Sequence, residues 1–413
     1  MITRINWHNL PERTVIKLKE ETQTKLLTMA INIFKKKRIL AEALGITRHH
    51  LNFYFKRKSN FTVKTLKRLI KILSISKSCL NDSIIEIGRI NPIKNPRLPF
   101  DLHSRNGIIL RSIVNSEGHI PTQVGTSMHI RVPEEIILST VIKCCKNIFG
   151  DFKVEIKQTK GKNTKEIFLP AVIVDCLLLS GLTRGRKSIV NPCIPEDILN
   201  GSKNIKKVYL QWSFVSEMEA TMHVKLTRSV DITDLLPQNF IRSLKYGATF
   251  KRQIPESILK MIIRKPNLLL GEIFLLKSFG IDKSSKLKCL WKAKNGRISA
   301  EWSIWITNKK ELKILLYEIG IPAEEKSEKV KAILDGYKRD NILKQYTYSN
   351  TYKILYQLQN KNGAISRKDL VKAFNIKWAD EKASRHLDKL MKNGIISRVR
   401  RGVYALSDRS NKI

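Results

Sequence analysis

At 413 residues the chain is too long for one compact core and predicts two to four domains. Its 42% hydrophobic content is ordinary for a globular protein and excludes a disordered basic tail. With 77 Lys+Arg against 36 Asp+Glu, a net charge of +41 draws in polyanions, while the lack of a long apolar run or lipidation signal argues against a membrane. No secretory pattern opens the chain, so a cytoplasmic, nucleoid-associated protein is expected.

The first hundred residues are helical in pattern. Thr22–Lys35 places Leu26, Leu27, Ala30, Ile33 and Phe34 on one face. Ile39, Leu40, Ala43 and Leu44 then make a short amphipathic helix that Gly45 ends. Thr47 caps a second helix holding Leu51, Tyr54 and Phe55, and Val63, Leu66, Leu69 and Ile70 make a third. Helix, short turn with Gly, then polar helix is the helix-turn-helix pattern, and over roughly 35–73 it resembles the phage-repressor type. That resemblance implies that Thr47, Arg48, His49 and Asn52 face base edges, with Lys56, Arg57 and Lys58 against phosphates.

Pro92, Pro96 and Pro99 mark a linker over 91–100. Beyond it the pattern alternates. A helix through Ile108–Glu117 leads to strands around His119–Val132, a helix at Glu134–Phe149, and a hairpin turning at Lys160–Asn163. The apolar helix Ala171–Leu182 precedes a basic loop with Arg184, Arg186 and Lys187, read as DNA contacts. The order then recurs, with a helix at Ile205–Glu217, strands near Met222–Val230, and a helix at Glu256–Ile263. Strands over 286–293 and 301–307 follow, and then a helix at Lys309–Ile319.

The last segment, 348–413, reads as a winged helix. Thr351–Gln359 is its first helix, Ser366 caps Arg367–Phe374, and Lys377–Asn393 is the third helix. The third helix offers Trp378, Lys382, Arg385, His386 and Lys389 to DNA, and Arg398, Arg400 and Arg401 sit on a two-stranded wing.

Two stretches read as copies of one element: LRSIVNSEG at Leu110–Gly118 and LQWSFVSEM at Leu210–Met218. Each runs apolar–polar–apolar along a helical face and ends in a carboxylate, Glu117 or Glu217. The pair resembles the two LAGLIDADG motifs of homing endonucleases, with Glu at each motif's last acid, and the resemblance covers a little over half the chain. It implies two motif helices crossing at a pseudo-two-fold axis, terminal acids that bind two divalent metals, and flanking β-sheets in the major groove of double-stranded DNA. The copies depart from the motif. Trp212 stands on the expected packing face, Met218 replaces Gly, and Arg111 and Ser112 replace small residues, so the helices are expected to be spread too far to share ions. The order of modules is similar to WhiA-type regulators, to archaeal homing-endonuclease-like proteins, and more loosely to archaeal winged-helix replication initiators.

The expected architecture is α+β and multidomain. An all-α helix-turn-helix domain spans 1–90, a duplicated αββ saddle 101–340, and a winged helix 348–413. Three functional readings follow, in order of preference. The first is a sequence-specific DNA-binding regulator or origin-binding initiator on a retired nuclease scaffold, monomeric on a long asymmetric site, using no cofactor and working with transcription or replication proteins. The second is an active Mg²⁺-dependent site-specific endonuclease. The third is an RNA- or ribosome-binding protein. Neither a P-loop nor a zinc spacing among the six Cys is found. Trp291, Trp302 and Trp305 alternate with polar residues in strands and are expected in a sheet core.

Overall fold

The computed structural model describes residues 1–132, 134–158, 164–344, 348–366, 368–369, 390–392, 394, 396–400 and 402–407, with the side chains of 337–344 and 348–354 left aside. The chain divides into two compact units, Met1–Ile333 and Leu334–Ile413.

In the first unit, β1 (Arg4–Ile5), β2 (Val15–Leu18), α1 (Glu20–Phe34), α2 (Lys37–Leu44) and α3 (Arg48–Phe55) follow one another. Gly45 ends α2 at φ 67°, a left-handed backbone that side-chain-bearing residues resist, and the Thr47 hydroxyl caps α3 by accepting the His50 N–H at 3.1 Å. After β3 (Phe61–Thr62), α4 (Val63–Leu73) buries Val63, Leu66, Leu69 and Ile70 on one face. Ile33 and Ile39, expected inside, are exposed.

Two expectations for this region are corrected. It is not all-α: β4 (Ile84–Ile87) and β5 (Ile93–Lys94) join β2 and β3 in a four-stranded sheet of order β3–β2–β4–β5. Nor is 91–100 a linker. Ile93 and Phe100 are fully buried, and β6 (Phe100–Asp101) pairs antiparallel with β1. The prolines here punctuate short edge strands, where a missing N–H costs little.

The middle of the unit is internally duplicated. Helix α5 (Arg105–Glu117), capped by Ser104, runs directly into β7 (Gly118–His119), which pairs with β8 (Met128–Val132). Next come α6 (Glu135–Phe149), β9 (Glu155–Gln158), β10 (Lys165–Leu169), α7 (Ala171–Leu179), α8 (Lys187–Val190) and α9 (Glu196–Leu199). Helix α10 (Lys203–Glu217), capped by Ser202, repeats the first step by running into β11 (Met218–Ala220), which pairs with β12 (Val224–Asp231). The remaining elements are α11 (Gln238–Ser243), β13 (Gly247–Phe250), α12 (Glu256–Met261), α13 (Asn267–Lys277), β14 (Lys286–Lys292), β15 (Ile298–Ile306) and α14 (Lys309–Lys313), the last followed by a π-helical segment, Ile314–Ile319. The two sheets have orders β7–β8–β10–β9 and β11–β12–β15–β14–β13.

Period-2 alternation decides which sheet face is buried. Val224, Leu226 and Val230 lie inward beside Ile306, Ile304 and Ala300, whereas Lys225, Thr227 and Ser229 lie on the other face. Trp302 belongs to the buried face. Trp291 and Trp305 lie on the opposite one and are exposed, which corrects the expectation that all three are core.

Helix α15 (Glu324–Lys344) runs across the division between units. The second unit holds α16 (Tyr348–Asn362), β16 (Ile365–Ser366), β17 (Ile396–Arg400) and β18 (Val403–Leu406), in sheet order β16–β18–β17. Leu355, Ile365, Leu390, Ile396 and Tyr404 form its core.

Arg111 sits fully buried in α5, with its guanidinium forked onto Asp197 of α9 at 2.7 and 2.6 Å and a further bond to the Ser180 carbonyl at 2.9 Å. The motif's departure at 111 is thus a buried ion pair. Burial works to raise the Asp197 carboxyl, yet the hydrogen bonds and charge of Arg111 hold it below its ordinary value. Asp197→Ala is expected to cost about 3–5 kcal/mol in urea unfolding, because it strands a buried charge. In the parent, this carboxylate's contribution is complete above its unfolded pKa and is lost as pH falls through the lower folded value, so the cost of the substitution shrinks in acid, below about pH 4.

Candidate functional site: the crossing of two acid-tipped helices

The site begins with two helices buried on most sides, α5 and α10, that pack against each other. The Ser112 hydroxyl donates to the Tyr209 carbonyl at 2.7 Å, and the Asn115 amide donates to the Tyr209 hydroxyl at 3.1 Å. A short side chain reaching a neighbouring helix's backbone requires close approach. The expectation that Trp212 spreads the pair is therefore corrected: Trp212 is buried, and small Ser112 makes the contact instead. Met218 does not disturb the helix end either. Both Gly118 and Met218 follow the last helical turn with extended backbone, at φ −72° and −75°, so neither position demands Gly for its conformation.

This packing brings Glu117 and Glu217 into one electrostatic neighbourhood. Burial, and then the charge of Glu217, push the Glu117 carboxyl up to about 7, against the opposing pull of Lys187 and Arg228. Two basic side chains stand among the acids. Arg228 of β12 is buried, and its guanidinium binds Glu217 Oε1, Glu272 Oε1 at 2.5 Å, and the Ser116 and Ser213 hydroxyl oxygens at 3.0 Å each. Glu272 of α13 is fully buried and accepts the Ser213 hydroxyl proton as well. Burial opposes the charge on Arg228, but Glu217 and Glu272 hold its pKa well above the ordinary value. The Lys187 ammonium donates to the Ser116 carbonyl, and its pKa is lowered to about 7, chiefly by burial.

Ser116, Lys187, Glu217 and Arg228 border an open polar cavity of about 430 Å³ that continues past Glu219, Thr227, Ser229, Lys288 and Glu301 on the sheet. A divalent cation would need oxygen donors converging from both helix ends. Here Glu217 is engaged by a guanidinium, and among the described residues no group of three or more His, Cys, Asp or Glu could hold a metal ion. The residues present do not fit the two-metal arrangement that the sequence resemblance implies.

Arg228 and Glu272 were not among the residues singled out from the sequence. Lys187 was, but as a loop contact to DNA, and this is corrected: the residue opens α8 and its ammonium is spent on Ser116 at the acid cluster. Arg184 is also tied inward, donating to the Pro121 and Gln123 carbonyls at 3.1 Å each and lying beside Asp175, whereas Arg186 is exposed. In the N-terminal region Thr47, Arg48, His49, Lys56, Arg57 and Lys58 are exposed, and Asn52 is partly exposed. Arg57 is held by Glu20 and by the Thr24 hydroxyl at 3.1 Å, so it is not a free phosphate contact. Arg398 and Arg400 are exposed on β17. Trp378, Lys382, Arg385, His386, Lys389 and Arg401 lie outside the described residues.

Among solved structures, this chain is similar to mesophilic variants of the homing endonuclease I-DmoI, with 10% identity, 54% of this chain and 99% of that chain covered, and a TM-score of 0.29. I-DmoI in complex with DNA and Mn gives 9% identity, the same two coverages of 54% and 99%, and a TM-score of 0.29. Full-length DUF199/WhiA from Thermatoga maritima gives 11% identity, covering 72% of this chain and 93% of that one, with a TM-score of 0.31. No family model and no curated protein matches the chain. Identities and TM-scores this low leave its function to its own residues.

The perturbed acid makes a measurable demand. Because folding raises the Glu117 pKa, the folded protein binds more protons than the unfolded chain between roughly pH 4.5 and 7, so this group's stabilising contribution falls as pH rises through that window. Glu117→Gln is expected to flatten the fall. Melting temperature measured against pH in EDTA, for parent and variant at matched ionic strength, checks it; parallel curves would contradict the assignment.

Proposed function

We propose that the chain is a sequence-specific double-stranded DNA-binding protein, a transcription regulator or origin-binding initiator, built on a homing-endonuclease scaffold that no longer cuts. The observation that carries the reading is the Arg228 network. A guanidinium and an ammonium stand among the acids that would have to hold cations in a cleaving relative. A carboxylate bound to Arg228 has its lone pairs directed at a donor, and the guanidinium's positive charge repels an incoming divalent ion.

Binding draws on different features. The net charge of +41 favours a polyanion, and the β12–β15–β14 face carries Lys286, with Lys225 and Lys288 there paired to Glu219 and Glu301. The α2–turn–α3 unit serves as a helix-turn-helix, with Thr47, Arg48 and His49 offered to base edges. In the second unit, the three-stranded sheet and exposed Arg398 and Arg400 suit a wing lying on the DNA backbone. The protein binds as a monomer on a long asymmetric site, without a cofactor, in the cytoplasm; no described helix is long and apolar enough to cross a membrane.

Affinity for duplex DNA is expected to fall steeply with salt, since each neutralised phosphate contributes a log–log slope of about −0.9. Replacing Arg398 and Arg400 with Ala should make that slope shallower by roughly 2 and weaken all sequences alike. Filter binding across a salt series reads both quantities, and a flat response or a preference for structured RNA would overturn the DNA reading. With Mg²⁺, footprints without breaks are expected on genomic DNA. Replacing Glu117 and Glu217 together with Gln should leave affinity unchanged or slightly raised. A Mg²⁺-dependent double-strand break at a defined sequence, abolished by Glu117→Gln, would instead establish an active endonuclease.

A further inference from the structure

The outer face of the second sheet carries an unpartnered aromatic cluster at its far edge. Along the edge strand β13, Ala248 and Phe250 point to the face opposite the helices, and Tyr246 precedes them in the same alternation. Ala248 pairs with Trp291 of β14, and the Tyr246 and Trp291 ring centroids lie 6.3 Å apart at 69°. Tyr246, Phe250 and Trp291 are 62%, 49% and 41% exposed. Three large rings left in water on one sheet edge are costly unless something covers them.

A second station lies on the same face. Trp305, 45% exposed, pairs with Lys225, its ring lies 4.8 Å from that of His223 at 31°, and its indole N–H is anchored on the Ser303 hydroxyl at 2.9 Å. Trp291 pairs with Ser299, six residues along β15 from Trp305, so the stations are roughly 20 Å apart at the usual strand rise. The edge cluster is bracketed by exposed cations, with Arg242 and Lys245 before it and Lys251 and Arg252 after it.

Exposed rings on a sheet, with cations beside them, are what unpaired bases and their phosphates require. Bases in a duplex hide their faces in the stack, while a separated strand offers every face to an aromatic platform. Charge complementarity and continuity with the proposed duplex-binding face favour DNA as the source of that strand. We propose that the second sheet is a stacking surface for unpaired DNA, with Tyr246, Phe250 and Trp291 receiving bases at one end and Trp305 at the other, so that the protein engages melted as well as paired DNA. The inference rests on the duplex-binding reading and deepens it.

The experiment uses the full chain and four labelled probes: a paired duplex, the same duplex with about six central unpaired positions, oligodeoxythymidine, and RNA of matched length. Trp291→Ala and Phe250→Ala are expected to weaken the bubble and oligodeoxythymidine complexes by roughly 5- to 100-fold each, with paired-duplex affinity changed less than about twofold. Trp291→Phe, which keeps a flat ring, should restore most of the loss, and quenching of tryptophan fluorescence by oligodeoxythymidine should drop in Trp291→Ala. Equal losses on paired and unpaired probes, or no loss on any, would overturn the stacking surface while leaving duplex binding in place. A stronger, Trp291-dependent preference for the RNA would overturn the assignment to DNA. A parent protein that binds none of the four would overturn this inference and the proposed function together.

Discussion

One buried guanidinium sets the geometry of the centre. Arg228 reaches inward from β12 and gathers Ser116 at the end of α5, Ser213 and Glu217 at the end of α10, and Glu272 on α13. Such a pair adds little net stability over a well-packed apolar replacement, because desolvation consumes most of the Coulomb gain. Its effect is on placement. With Glu272 fully buried, any arrangement that moves β12 away from α13 leaves a charge in an apolar interior, so strand, sheet and both motif helices are held in one relation.

The same constraint bears on chemistry. A carboxylate serves a metal only while its oxygen lone pairs are available, and Arg228 commits an oxygen of Glu217 to hydrogen bonding. Glu117 has both Lys187 and Arg228 as basic neighbours, and burial pushes the Glu117 carboxyl up to about 7 and the Lys187 ammonium down to about 7. The observation behind the proposed loss of cleavage is thus the Arg228 charge at Glu217, and the close α5–α10 contact through Ser112 shows that the helix pair is not spread.

Much of the middle of the chain was legible. Apolar periodicity placed the motif helices, which end at Glu117 and Glu217 as read, and strand alternation located β14 and β15. The failures have physical reasons. Short strands such as Val15–Leu18 and Ile84–Ile87 have too few residues for alternation to stand out from neighbouring helices, so the N-terminal sheet was missed. The prolines near 96 were read as a linker, because sequence does not distinguish an edge strand's missing donor from a flexible joint. Arg228 and Glu272 left a usable signal. Arg228 occupies an inward position between Leu226 and Val230, and Glu272 is the one charged residue within the apolar run Leu268–Leu276. A lone cation in a buried strand register and a lone acid in an apolar helix each need a partner, and they are each other's.

Cleavage and binding, the two readings weighed for this chain, depend on separate terms. Cleavage depends on a few atoms at the helix ends held to within a fraction of an ångström, whereas binding depends on many weak contacts spread over sheet faces and basic segments. Arg228 bears on the first through Glu217, and the outer sheet face is a separate set of side chains. The outer sheet face, where Lys225, Trp305 and Trp291 lie on the side away from the helices, does not depend on whether the acids bind metal or arginine. Because the Arg228 network also fixes the strand that carries Lys225, the same charge holds the proposed binding face in shape.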